Sequence, residues 1–309
     1  MLIPDLDFSL GNKYSFRETA EYPFKEKYTK IDGVEVCYVD EGKGFPILFI
    51  HGLGGNLLHY SENIPHFKEK FRTIAIDLPG YGKSDKPVLR DPVMYYVKML
   101  KKFVRKLGID ELILVGNSMG GHISAIFSAK FKKMAAGLVL ADPAGMRALN
   151  FLEDIFINTM FNENLLSRTP SYIMETSLKH NFYHARKEAE PILQSQKLMV
   201  GSTDYEAYCK TMELCAKSMN NNPLDDILAE IICPTLIVWG NNDRLIDVKY
   251  AELFQQGIKN SELHIYDYCG HISMLEKFED FNAHMDEFIK NNELAKKGRI
   301  KKIFKIFGK

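Results

Sequence analysis

Ser118 lies in the segment Gly116-Asn-Ser-Met-Gly120, which follows a run of aliphatic residues and precedes a helix-forming segment. A serine hydroxyl becomes a good nucleophile only when a base removes its proton and a third group fixes the tautomer of that base. A sharp turn from strand to helix projects such a serine, and glycines two positions before and after it let the strand and the helix approach. The segment therefore predicts a nucleophile for acyl transfer.

Two downstream residues are candidates for the partners that Ser118 needs. Asp243 and His271 each follow closely on a different apolar run. Nucleophile-elbow enzymes carry their acid and base in this chain order, and the loops after parallel strands meet at one edge of a sheet. We predict that Ser118, Asp243 and His271 form a catalytic triad, while Asp142, which follows an earlier apolar run, is the alternative acid.

Short β-branched and aliphatic runs alternate with longer helical patterns, which is typical of a parallel sheet covered by helices. After a hairpin (Tyr28–Ile31 and Val34–Val39), strands are predicted at Pro46–Ile50, Arg72–Ile76, Leu112–Val115, Gly137–Leu140, Thr235–Trp239 and Glu262–Tyr266. Helices are predicted at Val93–Leu107, at His122–Phe131 and at about Ser273–Asn291. Between Asp142 and Cys233 the strand pattern stops and apolar residues recur at helical spacing, which predicts a helical insertion.

We therefore predict one α/β domain that is interrupted by a helical cap. Its predicted parts are a first core segment at residues 1–142, the cap at 143–232, a second core segment at 233–291 and a basic tail at 292–309. Apolar side chains of the cap are expected to line a pocket over the nucleophile, but most of them are expected to pack within the cap itself.

The charges are balanced overall and unevenly distributed. Forty basic and forty acidic residues give a formal net charge of zero, which argues against a nucleic-acid-binding protein that acts through a global basic field. No apolar run reaches the roughly 18 residues of a membrane-spanning helix, and Asp5 and Asp7 interrupt the region where an export signal would be apolar. Five cysteines without a C-x-x-C pair argue against a disulfide framework or a zinc site. We expect a cytoplasmic protein.

The tail contains most of the local charge excess. Ile300, Ile303, Phe304 and Phe307 recur at helical spacing, and lysines occupy the opposite side. This pattern predicts an amphipathic helix that could make peripheral contact with an anionic membrane through residues 293–309. A helix docked on the protein itself or on a partner subunit, or a frayed tail, fits the same pattern.

Over residues 20–290 the chain resembles the α/β-hydrolase family. The matching motifs stand in the family's order: Asp40-Glu-Gly42, His51-Gly-Leu-Gly-Gly55, Asp77–Asp85, Gly116–Gly121, Trp239–Asp243 and Gly270-His271. The resemblance implies a mostly parallel central sheet flanked by helices, with a helical cap inserted after strand 6. It also implies that the backbone N–H groups of Leu53 and Met119 form an oxyanion hole, and it implies neither a metal nor an organic cofactor.

Serine at the elbow argues against the dehalogenases and epoxide hydrolases of the family, which use a carboxylate nucleophile. We predict a serine hydrolase that acts through an acyl-enzyme on a small-molecule substrate, first of all a carboxylesterase of small to medium apolar esters. The segments around Ser118 and His271 are most similar to hydrolases that cleave carbon–carbon bonds in ring-fission products. Those enzymes usually have Pro-Gly-Ala and Trp where this chain has Gly55-Asn-Leu57 and Ile272, so this activity is the alternative. A non-enzymatic ligand-binding or signalling protein on the same scaffold is the alternative of another class.

Overall fold

A computed structural model describes residues 13–147 and 161–295 of the chain. Eight strands form one sheet in the order β1-β2-β4-β3-β5-β6-β7-β8. The strands are β1 (Lys27–Ile31), β2 (Val34–Gly42), β3 (Pro46–Ile50), β4 (Arg72–Ile76), β5 (Leu112–Asn117), β6 (Ala135–Ala141), β7 (Thr235–Gly240) and β8 (Ser261–Tyr266). Strand β2 pairs antiparallel with β1 and β4, and the other pairs are parallel. The sheet confirms the predicted fold class.

The burial of the strands follows from helices on both faces of the sheet. Every residue of β5, β6 and β7 is buried, as expected for central parallel strands that are covered on both sides. In the edge strand β8 only the last residue, Tyr266, is buried. Strands β5 and β6 extend beyond their predicted ends because Asn117 and Ala141 still pair in register.

The helices of the core flank this sheet, and those between β6 and β7 form the cap. The core helices before β7 are α1 (Phe16–Thr19), α2 (Asn63–Phe67), α3 (Pro92–Lys106) and α4 (Met119–Lys130). The cap helices are α5 (Glu163–Leu166), α6 (Ser171–Lys179), α7 (Glu190–Val200) and α8 (Tyr205–Asn221). The last core helices are α9 (Lys249–Gly257), α10 (Ser273–Glu276) and α11 (Phe278–Asn291). The prediction of one helix over Ser273–Asn291 is wrong, because Lys277 has φ −122° and ψ 45° and separates α10 from α11.

Polar contacts hold the cap on the core. Asp91, just before α3, accepts a hydrogen bond from the Ser218 hydroxyl on α8, and the amide of Val93 donates to the same hydroxyl over 3.1 Å. Lys86 of the core forms an ion pair with Asp204 over 3.5 Å. These contacts fix α8 across the carboxyl edge of the sheet, above the loops predicted to carry the triad.

The predicted tail is described only at its beginning. Leu294 is fully buried and lies against Gly137 of β6, where a Cβ would come 2.6 Å from the leucine side chain. Residues 296–309 lie outside the described residues, so the predicted membrane contact stays a prediction. Within the described ranges no helix has both the length and the apolar character needed to cross a membrane.

Candidate active site

Ser118 occupies the turn between β5 and α4 in a strained backbone conformation. Its φ is 53° and its ψ is −118°, a region that side-chain-bearing residues rarely adopt. A Cβ on Gly116 would lie 2.2 Å from the carbonyl oxygen of Gly120, and a Cβ on Gly120 would lie 2.1 Å from that of Ile50. Both glycines are therefore needed for strand, turn and helix to pack, as the motif predicts.

Asp243 and His271 are brought together by the loops after β7 and β8. The Asp243 Oδ2 atom lies 2.7 Å from the His271 Nδ1 atom, and both side chains are almost completely buried. The other carboxylate oxygen accepts the amides of Leu245 at 2.8 Å and Ile246 at 2.9 Å. These two amides fix the carboxylate, so the Nδ1–H of His271 has a rigid acceptor.

Ser118 and His271 line the same cavity. The Nε2 atom of His271 is buried and has no hydrogen-bond partner among the described residues. Hydrogen bonds between a nucleophile and its base are often long without substrate and tighten when it binds. The geometry leaves Nε2 available to the Ser118 hydroxyl or to a substrate atom, and the catalytic roles of the three residues stay predictions.

Asp142, the alternative acid, is hydrogen-bonded to the end of β7 and to the start of α10, which flank the loops that carry Asp243 and His271. Its buried carboxylate accepts the amide of Gly240 at 2.8 Å and the hydroxyl of Ser273 at 2.5 Å. Burial, and then the charge of nearby Asp243, raise the pKa of Asp142 to about 8. Asp243, rather than Asp142, is the carboxylate that is hydrogen-bonded to His271.

The rate is expected to depend on pH through His271. Burial lowers the pKa of His271, but the charge and hydrogen bond of Asp243, together with the charge of Asp142, raise it by more, so the pKa lies above the ordinary value of 6.5. Only the neutral imidazole can accept a proton from Ser118, so kcat/KM should rise with pH through this pKa, above pH 6.5. Measuring kcat/KM from about pH 5 to about pH 9 tests this expectation. A rate without an acid limb in that range would contradict it.

The glycine-rich loop after β3 lies directly against the nucleophile turn. A Cβ on Gly52 would come 3.1 Å from the Cβ of Ser118. The carbonyl of Gly52 accepts the amide of Gly55 at 3.1 Å and lies 2.7 Å from the Nδ1 atom of His51. The His51 Nε2 atom accepts the amide of Leu78 at 3.0 Å. Burial lowers the pKa of His51 to about 4, so at neutral pH its ring is uncharged and its Nδ1–H donates to Gly52.

The two amides predicted to form the oxyanion hole flank this contact. Leu53 is the second residue of the turn that the Gly55–Gly52 hydrogen bond closes. Met119 is the first residue of α4, where an N–H group has no intrahelical acceptor. Donors of this kind stabilise the negative charge of a tetrahedral intermediate. Their assignment stays a prediction.

A cavity of about 800 Å³ opens between the core and the cap. Its described lining combines the predicted triad with mainly apolar side chains such as Phe161, Met174 and Ile272. Arg147 and Arg244 lie on its wall, and Arg147 also pairs with Asp226 over 2.7 Å. The cavity therefore suits a substrate with a substantial apolar part.

Sequence analysis missed three polar residues of this site. Asn117, beside Ser118, donates to the backbone oxygens of Ala141 at 3.1 Å and His271 at 3.0 Å. His59 and Tyr208 line the cavity, and burial lowers the pKa of His59 to about 3, so its ring is uncharged. The position of Asn117 inside the elbow motif was a usable signal, whereas Tyr208 lies on the cap with no motif around it.

A family model described as "alpha/beta hydrolase fold" matches residues 46–278 of the chain. One curated relative is the 2-hydroxy-6-oxo-6-(2'-aminophenyl)hexa-2,4-dienoic acid hydrolase of Metapseudomonas resinovorans, which is 27% identical over 88% of this chain and 93% of its own. Another is the 2-hydroxy-6-oxononadienedioate/2-hydroxy-6-oxononatrienedioate hydrolase of Escherichia coli strain K12, which is 31% identical over 83% of this chain and 91% of its own. A solved membrane phospholipase A is similar at 26% identity and a TM-score of 0.75, with 87% of this chain and 86% of that chain covered.

Proposed function

Since the chain belongs to the alpha/beta hydrolase fold family, we propose that it is a serine hydrolase that cleaves a carbon–carbon bond in 2-hydroxy-6-oxo-dienoate ring-fission products. The observation that carries the serine-hydrolase part is the buried Asp243–His271 pair beside the strained Ser118 in one cavity. The names of the curated relatives support the choice of substrate. Hydrolysis itself is common to these relatives.

In the proposed reaction, the Ser118 oxygen attacks the ketone carbon of the substrate while His271 takes the hydroxyl proton. The resulting alkoxide is stabilised by the amides of Leu53 and Met119. For the leaving electron pair to be delocalised, the substrate must react as its 2,6-dioxo tautomer, in which the proton of the 2-hydroxyl group has moved to C5 and made that carbon saturated. When the alkoxide collapses, the bond between C5 and the former ketone carbon breaks, and its electron pair forms a dienolate. The oxygen of the dienolate takes the proton from His271 to give the 2-hydroxydienoate, and an acyl group stays on Ser118. Water, deprotonated by His271, releases the acyl group as a carboxylic acid.

A carbon leaving group requires a conjugated acceptor, and the dienoate supplies one together with a carboxylate. Arg147 and Arg244 on the cavity wall are candidates to attract that carboxylate, because guanidinium groups match carboxylate geometry. Arg147 already pairs with Asp226 at the surface. Because its side chain is half-exposed, solvent weakens any interaction that it makes with a substrate carboxylate. The two arginines are therefore candidate contacts for a substrate carboxylate, on a wall that also carries the acidic Asp247.

Hydrolysis of carboxylic esters is the second candidate, and one residue of the cavity wall favours it. Ile272, which is buried and follows the proposed base directly, lines the cavity where ring-fission-product hydrolases usually carry tryptophan. A mainly apolar wall accepts the acyl chain of an ester without an ionic contact. The likeness to a membrane phospholipase A supports the same candidate. The same triad would serve both reactions, since only the leaving group differs.

A substrate panel separates the two candidates. The panel compares kcat/KM for 2-hydroxy-6-oxo-6-phenylhexa-2,4-dienoate with kcat/KM for p-nitrophenyl esters of short and medium acyl chains and for a thioester. We expect the dienoate to have the highest value and to yield a carboxylic acid and a 2-hydroxydienoate. Preference for esters without dienoate cleavage would replace the first candidate by the second. No turnover of any substrate by folded protein would contradict both and favour a ligand-binding protein.

A further inference from the structure

Tyr208 connects the cap to the glycine-rich loop of the core. It lies on α8 and is only 2% exposed. Its hydroxyl donates to the carbonyl oxygen of Gly54 over 2.8 Å, and the side-chain oxygen of Gln196 on α7 lies 3.2 Å from the same hydroxyl. The Tyr208 ring packs edge-on against Tyr81 of the core, with ring centroids 5.8 Å apart. The Tyr208 side chain is therefore held by contacts with both the core and the cap.

Gly54 is shaped for this contact. Its φ is +75°, which glycine adopts at little cost, and a Cβ at this position would lie 2.9 Å from the Tyr208 hydroxyl. The turn around Leu53 is held at its start by the Gly52 carbonyl, which accepts the Gly55 amide at 3.1 Å. Its far side is held by the Tyr208 hydroxyl on the Gly54 carbonyl. The orientation of the Leu53 N–H group thus depends on both ends of the turn.

A second cap side chain, that of Ser195, contacts the same loop two residues after Gly54, at Asn56. The Nδ2 atom of Asn56 donates to the hydroxyl of Ser195 on α7 over 2.6 Å. The Oδ1 atom of Asn56 accepts the amide of Leu58 at 3.0 Å. Two cap helices, α7 and α8, therefore contact consecutive parts of the loop that carries Leu53.

We propose that Tyr208 is a positioning residue for the oxyanion hole, so that the N–H group of Leu53 is correctly oriented only while the cap is seated on the core. The inference rests on the proposed serine-hydrolase function. In this proposal Tyr208 acts through its hydrogen bond to Gly54 and not by contact with the reacting atoms. A displaced oxyanion hole stabilises the transition state less well but has little effect on binding of the substrate in its ground state. Loss of the hydrogen bond between Tyr208 and Gly54 should therefore lower kcat and leave KM nearly unchanged.

Tyr208→Phe removes only the hydroxyl and tests this proposal. The matched control is Tyr205→Phe, on the same helix, because the Tyr205 hydroxyl also donates to a backbone carbonyl, that of Leu166 at 2.9 Å within the cap. The readouts are the rate constant for phosphonylation of Ser118 by a fluorophosphonate, and kcat and KM for the best substrate of the panel. We expect Tyr208→Phe to lower the phosphonylation rate and kcat by about fivefold to tenfold, the value of one neutral hydrogen bond. Tyr205→Phe should retain the wild-type rates.

Three outcomes would overturn the proposal: a wild-type phosphonylation rate in Tyr208→Phe, an equal loss in both variants, or a rise in KM without a fall in kcat. If Tyr208→Phe does not fold, Ser195→Ala removes the second cap contact and is measured in the same way, and an unchanged rate overturns the proposal. Wild-type protein that is not phosphonylated at Ser118 would instead refute the proposed function, and the inference with it.

Discussion

Replacement of Ser118 by alanine is expected to lower kcat by about 10⁵-fold to 10⁶-fold, because the attacking oxygen is lost and only binding and the oxyanion hole remain. The fold should persist, since the alanine removes one atom from a side chain at the wall of a cavity. Steady-state kinetics with the best substrate of the panel, together with thermal unfolding, measure both effects.

Ser128→Ala is the control for this change. Ser128 lies on α4, is 1% exposed, and its hydroxyl has no hydrogen-bond partner among the described residues. Removal of that hydroxyl should therefore leave kcat and the midpoint of thermal unfolding close to those of the wild type. A Ser118→Ala enzyme that keeps more than about a tenth of the wild-type kcat would contradict nucleophilic catalysis by this residue.

Replacement of Asp243 by asparagine is expected to lower kcat by about 10⁴-fold. The amide would place its NH₂ group, instead of a carboxylate oxygen, near Nδ1 of His271, and so would favour the wrong tautomer of the base. Loss of the carboxylate also removes the interaction that raises the pKa of His271, so the acid limb of kcat/KM should move to lower pH. Kinetics of the variant across pH measure both effects.

Asp142→Asn is the matched variant for the acid. The Asp142 side chain is hydrogen-bonded to Gly240 and Ser273 and not to His271, and asparagine keeps its size and one acceptor oxygen. We expect a loss in kcat of no more than about tenfold, through weaker contacts to Gly240 and Ser273. If Asp142→Asn caused the larger loss and Asp243→Asn the smaller one, the assignment of the acid would be wrong.

Much of the fold could be predicted because strand and helix periodicity are local properties of the sequence. Strands β3 and β4 match their predicted bounds at both ends. Strand ends were harder to predict, because pairing across the sheet extends β5 to Asn117 and β6 to Ala141. The break at Lys277 could not be predicted either, because an apolar helical spacing continues on both sides of it.

The residues of the candidate site also differ in how far they could be predicted from the sequence. Ser118 could be found because the glycines around it form a motif, and a Cβ added to Gly116 or Gly120 would come within 2.2 Å of a backbone oxygen. Tyr208 and His59 have no such signal, since their role depends on the position of the cap and of the loop over the sheet. The choice between an ester and a carbon–carbon bond as substrate could not be made from the sequence, because the same triad would serve both reactions.

The most direct test of the proposed serine hydrolase is mass spectrometry of the whole protein after reaction with a fluorophosphonate, followed by peptide mapping. A single adduct on Ser118 is expected, absent from Ser118→Ala and formed faster as the pH rises through the pKa of His271. An unmodified protein, or an adduct on any other residue, would contradict Ser118 as the activated nucleophile of this site.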